Sequence, residues 1–561
     1  MLVFAASLLA EPVPAPAAEQ AVRGERPSAP YRVWYGINEL GSNFEFYPNA
    51  TIDSGGRLDP RLLEKAGKSS LYWVYGSQIP TWADGPGYWH ERLKPSTMRR
   101  GPNENYDFPF ELPGVALDEW ANAHQSGVWD WIPEGLRQGR LENPHPFIAV
   151  WLSNTVREQL YDMGRDGTVD LFLVQGYTIT RHQGDGLFWS DAMARLEPFK
   201  ERGLLHKTVF VLGHITDYPN WKGGTVWDEQ MLRSRMEEIK RRYPQMPGVS
   251  FFQSGVKDEQ AFRRIAQIAD EISGELWPDD WLPDGIYTLA PQSDSVLRLE
   301  AEDAGESPGT HVIGWTTRYP EQPVHQMWRL TSVDDDQNLY RIQPAYTRDL
   351  SLEAGDPGGR DTAPVRLGRT HNGPSQQWKL TPATRGFKLS PVSAPNRFLR
   401  MPRSEDGTRV LIGVDRGGRD QVWALNPEFS PLEPIPPVYQ AQEAEMTGNT
   451  RRGGGYPGSV GGFVQQARGG GTLTFNNVDG GEKGGRQVLT VRYANGSDRP
   501  LTQRITVNGR TADVTFPPTG WWGTWERRDI PAPLRAGKNN TVILIAEDGG
   551  PHIDKLEVNP R

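Results

Sequence analysis

Short apolar runs punctuate the first half of the chain, and each reads as a strand. They are Arg32-Val33-Trp34-Tyr35-Gly36, Leu71-Tyr72-Trp73-Val74-Tyr75, Phe147-Ile148-Ala149-Val150-Trp151-Leu152, Asp170-Leu171-Phe172-Leu173-Val174, Thr208-Val209-Phe210-Val211-Leu212 and Gly248-Val249-Ser250-Phe251-Phe252. Near-continuous apolar strands are buried on both faces, as in a parallel sheet. Amphipathic stretches at 191–204, 226–243 and 258–274 lie between and after them. This alternation over 31–278 predicts a (β/α)8 barrel, although only six of its strands are visible. The Gly-, Pro- and Trp-rich stretch 79–118 reads as an inserted loop over the barrel mouth.

The second half carries a different pattern. His325-Gln326-Met327-Trp328-Arg329-Leu330 returns as Gln376-Gln377-Trp378-Lys379-Leu380 and again as Asp420-Gln421-Val422-Trp423-Ala424-Leu425, at spacings of 50 and 45 residues. Each unit opens on a strand-like segment, at Gly285-Ile286-Tyr287-Thr288-Leu289, Asn338-Leu339-Tyr340-Arg341-Ile342 and Gly386-Phe387-Lys388-Leu389. Each then continues with apolar-x-apolar, at Leu297-Arg298-Leu299, Leu350-Ser351-Leu352 and Leu399-Arg400-Met401. One such unit cannot bury its apolar face alone, so the three must close on each other. They predict a threefold all-β unit over 281–428. Pro431-Leu432-Glu433-Pro434-Ile435-Pro436-Pro437 then marks 429–437 as a stiff linker to a last unit, 438–561.

The three Gln-x-Trp units resemble the ricin B-like lectin repeat, which implies a β-trefoil. In that family the Trp packs the shared core and the Gln ties down backbone. Sugar contacts come from an acidic residue after the first strand pair and an aromatic platform. The resemblance therefore implies Glu300 or Asp303 with Trp315 in unit one, and Glu353 or Asp356 in unit two. Pro402 and Ser404 stand where an acid belongs in unit three.

Residues 438–561 resemble the carbohydrate-binding modules of families 6 and 35. The matching pieces include Tyr439-Gln440-Ala441-Gln442-Glu443-Ala444-Glu445, Leu489-Thr490-Val491-Arg492-Tyr493-Ala494-Asn495-Gly496, Gly520-Trp521-Trp522-Gly523-Thr524-Trp525 and Ile553-Asp554-Lys555-Leu556-Glu557-Val558. This implies an antiparallel β-sandwich jelly roll. It implies sugar contacts from Tyr456 and Trp522, with His552 in place of the usual asparagine, and a core role for Trp525. It also implies a structural calcium at Gln440, Gln442 and Asp554. Two glutamates are usual where Gln440 and Gln442 stand, and calcium prefers several charged oxygens, so the substitution weakens that site.

Composition narrows the function. At 561 residues the chain is too long for one core and suits three or four domains. Its net charge is −9 with no basic block, which argues against nucleic acid as a partner. No run after residue 15 is apolar enough to span a bilayer. The absence of cysteine excludes disulfides, thiolate metal sites and a cysteine nucleophile. Neither a G-x-S-x-G nor an H-E-x-x-H motif occurs. The apolar stretch Met1 to Ala10 and the small-residue site Ala15-Pro16-Ala17 make 1–30 a signal-like segment and linker, so export is expected. The 20 tryptophans supply aromatic faces for cores and for stacking on sugar rings.

In such a barrel, chemistry sits just beyond the carboxyl ends of the strands. Those positions hold Asn38, Glu39, Gln78, Ser153, Asn154, Gln175, Tyr177, His214, Asp217 and Gln253. Glycoside hydrolysis uses two carboxyl groups, one as acid and one as base or nucleophile. Glu39 and Asp217 are the best-placed pair, with Glu45 and Asp185 in reserve, and Asp170 at a strand start belongs to the barrel bottom. Either of the pair reads equally well as a loop cap. Trp151, Tyr177 and His214 are the expected substrate contacts. The expectation is a secreted glycoside hydrolase that needs no catalytic cofactor and is targeted to a polysaccharide or oligosaccharide by two binding modules. The rival is a non-catalytic, multivalent carbohydrate-binding protein with a degenerate barrel, and a polysaccharide lyase is a third reading. Oligomeric state is not readable.

Overall fold

The computed structural model describes residues 22–559 except 24, 36–46, 55–58, 76–85, 95–96, 99–109, 119–127, 153–156, 177–184, 216–227, 255–258, 318, 320–323, 335–337, 433–435, 455, 457–458, 460–461 and 482. The chain is multidomain, with a closed barrel of eight parallel strands and two β-rich units after it.

The barrel strands are β1 (Tyr31–Tyr35), β2 (Ile52–Asp53), β3 (Ser69–Tyr75), β4 (Gly114–Asp118), β5 (Phe147–Leu152), β6 (Leu171–Gln175), β7 (Thr208–Ile215) and β8 (Gly248–Ser254). They pair in chain order, and β8 closes on β1 with Gly248 opposite Tyr31. A Cβ on Gly248 would lie 1.8 Å from the Tyr31 carbonyl oxygen, so only glycine permits that closure. Helices α1 (Pro60–Lys65), α2 (Pro86–Arg92), α3 (Val128–Glu142), α4 (Glu158–Arg165), α5 (Asp185–Glu201), α6 (Glu229–Arg242) and α7 (Glu259–Leu276) follow β2 to β8. Helix α6 shows why they form. Asp228 caps its first turn through Met231 N–H, and Leu232, Arg235, Met236 and Ile239 make its buried stripe. Lys240, Arg241 and Arg242 complement the negative end of its dipole.

Side chains alternate along the strands. Val33, Ala149, Leu171, Leu173 and Val211 fill the barrel interior, while Trp34, Val150, Phe172 and Phe210 pack outward. The expected insertion over 79–118 is corrected in part. Residues 86–92 are helix and 114–118 are a barrel strand. Strands β2 and β4 are the two that the apolar runs did not reveal.

The second unit is a closed six-stranded antiparallel barrel. It is built from β9 (Gly285–Pro291), β12 (Trp328–Asp334), β13 (Leu339–Pro344), β16 (Trp378–Ala383), β17 (Gly386–Pro391) and β21 (Trp423–Pro427). Between them run the shorter strands β10 (Leu297–Ala301), β11 (Val312–Thr316), β14 (Leu350–Ala354), β15 (Thr362–Arg369), β18 (Arg397–Arg400), β19 (Thr408–Arg409) and β20 (Leu411–Val414). The repeated tryptophans make one repeated contact. Trp328, Trp378 and Trp423 are fully buried, and each Nε1 donates to a leucine carbonyl, of Leu299 (2.8 Å), Leu352 (2.9 Å) and Leu399 (2.9 Å). The repeated glutamines are buried as well. Gln376 Nε2 donates to Arg369 O and Gln421 Nε2 to Val414 O, both at 2.8 Å.

This unit sits on the amino ends of the parallel strands, and its core is continuous with the barrel interior. Residues 25–30, expected as linker, are built into that junction. Arg26 donates to Asn426 Oδ1 (3.0 Å), to the His145 carbonyl (2.8 Å) and to Asp170 Oδ1 (2.5 Å). Asp170 thus lies at the barrel bottom, as its place before β6 implied. The carboxyl ends of the strands are on the opposite face.

The third unit is an antiparallel nine-stranded sheet folded over its own core. Its strands are β22 (Val438–Gln440), β23 (Glu445–Gly453), β24 (Phe463–Val478), β25 (Gly485–Ala494), β26 (Leu501–Val507), β27 (Arg510–Phe516), β28 (Glu526–Leu534), β29 (Asn540–Asp548) and β30 (His552–Asn559). It docks on the flank of the parallel barrel through charge. The fully buried Glu197 of α5 accepts from Lys555 Nζ (2.7 Å), Arg527 Nη2 (2.6 Å) and Tyr243 Oη (2.9 Å). Lys555 also reaches Glu201 (2.7 Å), and Lys200 reaches Glu557 (2.8 Å). The join between the second and third units is not free throughout, because Phe429 packs on the barrel and Ser430 is buried.

Candidate functional sites

The carboxyl end of the parallel barrel is the first candidate. Glu39, Asp217 and Tyr177, and the reserve Glu45, lie outside the described residues. His214 lies on β7 and Asp185 opens α5. Trp151 lies inside the barrel. Two residues beyond Ala149 on β5, it points inward, is 1% exposed and packs with the inner core.

Two other side chains share that inner face. Asp118 ends β4, two residues beyond the interior Ala116, and is 5% exposed. Gln175 ends β6, two residues beyond Leu173, and is 1% exposed. Neither amide atom of Gln175 has a hydrogen-bond partner among the described residues. A buried unsatisfied amide is costly, and such groups mark places where something else supplies the partner. Asp118 was missed in the sequence because its short strand hides at the end of the Gly- and Pro-rich stretch. The signal that could have found it is the short apolar run Val115-Ala116-Leu117, which ends on the carboxylate of Asp118.

The second candidate is an aromatic cluster at one end of the sandwich. Tyr456 meets Trp521 edge-on at 5.2 Å, Trp522 lies 4.5 Å from His552, and His552 stacks on Phe463 at 4.7 Å. Tyr456 and Trp522 are half-buried, so each keeps part of a ring face open. Trp525 is 1% exposed and joins the barrel-side core. Burial pushes the His552 imidazole down to about 4, against a smaller opposing effect of its hydrogen bond to Trp522 O. It is therefore neutral near pH 7, and its Nδ1–H donates to that carbonyl at 3.3 Å. Gly496 is required here, because a Cβ on it would lie 2.4 Å from the Trp522 ring.

The six-stranded unit separates its own candidates. Trp315 is half-exposed and Asp303 is exposed on the surface. Glu300 is buried and accepts from Gln326 Nε2 at 2.6 Å, which makes it part of the scaffold. Glu353 of unit two is half-exposed and accepts from Ser375 at 3.1 Å.

For calcium, the donor set fits poorly. Asp554 Oδ2 accepts from Arg492 Nη1 at 2.6 Å with both side chains 1% exposed, so a permanent cation already balances the one carboxylate. Burial raises the Asp554 carboxyl above its ordinary value, with Arg492 and Lys555 opposing. Asp554 Oδ1 and Gln440 Oε1 are buried acceptors without a partner among the described residues, but Gln440 and Gln442 bring no charge. Among the described residues no three His, Cys, Asp or Glu side chains group as a metal site.

Comparison with known proteins bears on the same regions. No family model matches the chain. It is 40% identical over 79 residues to endo-1,4-beta-xylanase B of Cellvibrio japonicus (strain Ueda107), which is 13% of this chain and 13% of that protein. The match therefore spans about an eighth of the relative. Among solved structures, a family 35 carbohydrate binding module from Clostridium thermocellum aligns at 36% identity over 22% of this chain and 98% of its own, with a TM-score of 0.21. The designed threefold-symmetric protein ThreeFoil aligns at 26% identity over 26% of this chain and 99% of its own, with a TM-score of 0.23. Among the described residues no helix is long and apolar enough to cross a membrane.

Proposed function

We propose that this is a secreted carbohydrate-active enzyme that hydrolyses a glycosidic bond in a polysaccharide. We read the parallel barrel as a (β/α)8 catalytic domain over 31–278, the six-stranded unit as a ricin B-like β-trefoil and the sandwich as a family 35-type binding module. The observation that carries the reading is the inner carboxyl end of the barrel. The amino ends are covered by the six-stranded unit, while Asp118 and Gln175, whose amide has no partner among the described residues, face inward at the other end. The half-open Tyr456 and Trp522 rings around a neutral His552 suit stacking on an uncharged sugar. The partial likeness to a xylanase agrees with a plant polysaccharide as substrate.

In this reading Glu39 and Asp217 carry the proton chemistry, one as acid and one ionised, and Asp118 is a third carboxylate at the same end. Gln175 would hydrogen-bond a sugar hydroxyl. A hydrolysis screen over plant and microbial polysaccharides tests the activity. Glu39→Gln, Asp217→Asn and Asp118→Asn then sort the roles, since loss of a general acid or base lowers turnover by roughly 10²–10⁴-fold. A carboxylate whose amide variant keeps near-normal turnover is structural. The second reading, a non-catalytic multivalent binder, is favoured by an amide, not a carboxylate, at the end of β6. Polysaccharide binding with no cleavage of any substrate would establish it.

A further inference from the structure

Behind the barrel bottom, at the junction with the six-stranded unit, lies a cavity of about 40 Å³. Water needs roughly 10–15 Å³ by this measure, so the space suits a few waters or one small ion. Its walls are charged and the charges do not balance. Arg26 and Arg140 share the single carboxylate of Asp170, each at 2.5 Å. Lys207, fully buried, pairs with Glu428 at 3.0 Å, and Glu428 also accepts from Thr288. Arg298 is the remaining cation. It is 4% exposed, and only its Nη1 is bonded, to the carbonyls of Ser295 (2.6 Å) and Leu297 (2.8 Å). Its Nε and Nη2 have no protein acceptor among the described residues, and Arg298 lines the cavity together with Arg26 and Arg140.

Among the lining residues three cations (Arg26, Arg140, Arg298) face two anions (Asp170, Glu428), and Glu428 is already paired with the buried Lys207. Burial pushes the neighbouring His206 down to about 3 and keeps it neutral. Glu300 accepts from the lining Gln326 and does not itself line the cavity. Burial, with Arg26 and Arg140 nearby, pushes the Arg298 guanidinium down to about 9. A guanidinium keeps its proton in proteins, so the excess charge needs a counter-charge in place.

We propose that this cavity binds one monovalent halide, chloride in solution, held by Arg298 together with Arg26 and Arg140. The ion fastens the six-stranded unit to the parallel barrel, remote from the carboxyl-end site. Ligands that bind only the folded state raise its stability with concentration.

Two measurements on the full chain test this. In crystals soaked in sodium bromide, anomalous scattering should place one bromide within hydrogen-bond reach of Arg298 Nε or Nη2. In thermal unfolding at constant ionic strength, replacing gluconate with chloride should raise the midpoint saturably, by roughly 2 °C or more. Arg298→Met should abolish that rise. A cavity that shows no bromide peak, with identical midpoints in chloride and gluconate, overturns the proposal and leaves bridging water as the filling. If Arg298→Met does not fold, the bromide peak alone decides.

Discussion

Glu197→Gln is the most informative substitution in the chain. It keeps the shape of the side chain and removes one negative charge from a site with no solvent exposure. Lys555 and Arg527 lose an ionic partner at 2.7 and 2.6 Å. Lys555 keeps Glu201 at 2.7 Å, but among the described residues Arg527 keeps only Glu557 at 3.9 Å. Breaking one side of a buried ion pair costs about 3–5 kcal/mol. The surviving Lys555–Glu201 contact places the expected loss near the lower end, at about 3 kcal/mol. Equilibrium urea unfolding of the full chain, followed by tryptophan emission, reads that loss directly. Lys555→Met should cost a similar amount, and the double variant should cost clearly less than the sum, since the second change removes the charge that the first left stranded. A pH series adds a second reading. Burial alone would raise the Glu197 carboxyl, but Arg527 and Lys555 outweigh it and hold it well below its ordinary 4.5. A carboxylate with a lowered folded pKa stabilises above its unfolded value and loses that contribution as pH falls below it. The wild type should therefore lose stability below pH 4.5 more steeply than Glu197→Gln. A loss under about 1 kcal/mol, the scale of a surface ion pair, would show that water reaches Glu197 and that the sandwich is not docked on α5.

Three further outcomes are expected. Trp522→Ala should weaken retention of the full chain on insoluble polysaccharide with little change in melting midpoint, whereas Trp525→Ala should cost about 3–5 kcal/mol of stability; the reverse pattern would exchange their roles. His552, whose pKa falls from 6.5 to about 4 on folding, makes the fold less stable as pH drops from 6.5 toward 4, because the unfolded chain takes up the proton first; His552→Gln should flatten that part of a stability–pH curve. Chelator should leave the melting midpoint unchanged, since Arg492 already balances the charge of Asp554 through Oδ2; a midpoint that rises with added calcium would show that the metal binds.

Periodic features were legible in the sequence and pairwise ones were not. The Gln-x-Trp spacing repeats a single packing solution, and each Trp indole makes the same bond to a leucine carbonyl. Strands β5 and β6 announced themselves because both faces are apolar. Strand β2 is too short for a pattern, and β4 ends on the polar Asp118 at the edge of a Gly- and Pro-rich stretch. The inward direction of Trp151 was not legible either, because strand phase and not local sequence decides it. Glu197 and Lys555 are separated by 358 positions, and nothing local to either residue signals the other. Their contact is set by how two finished units meet.

That contact bears on how such chains are assembled over evolutionary time and in the laboratory. A module joined by a loose tether can be exchanged for another fold without consequence for its neighbour. Here a donor gene that lacked counterparts of Lys555 and Arg527 would leave Glu197 and Glu201 facing an apolar or like-charged wall. Recombination is therefore constrained to partners that arrive with a matching pattern on their last strands, or to crossovers that move α5 and the sandwich together. A chimera screen should recover fusions cut before α5 and after 559 more often than fusions cut within the Pro-rich join.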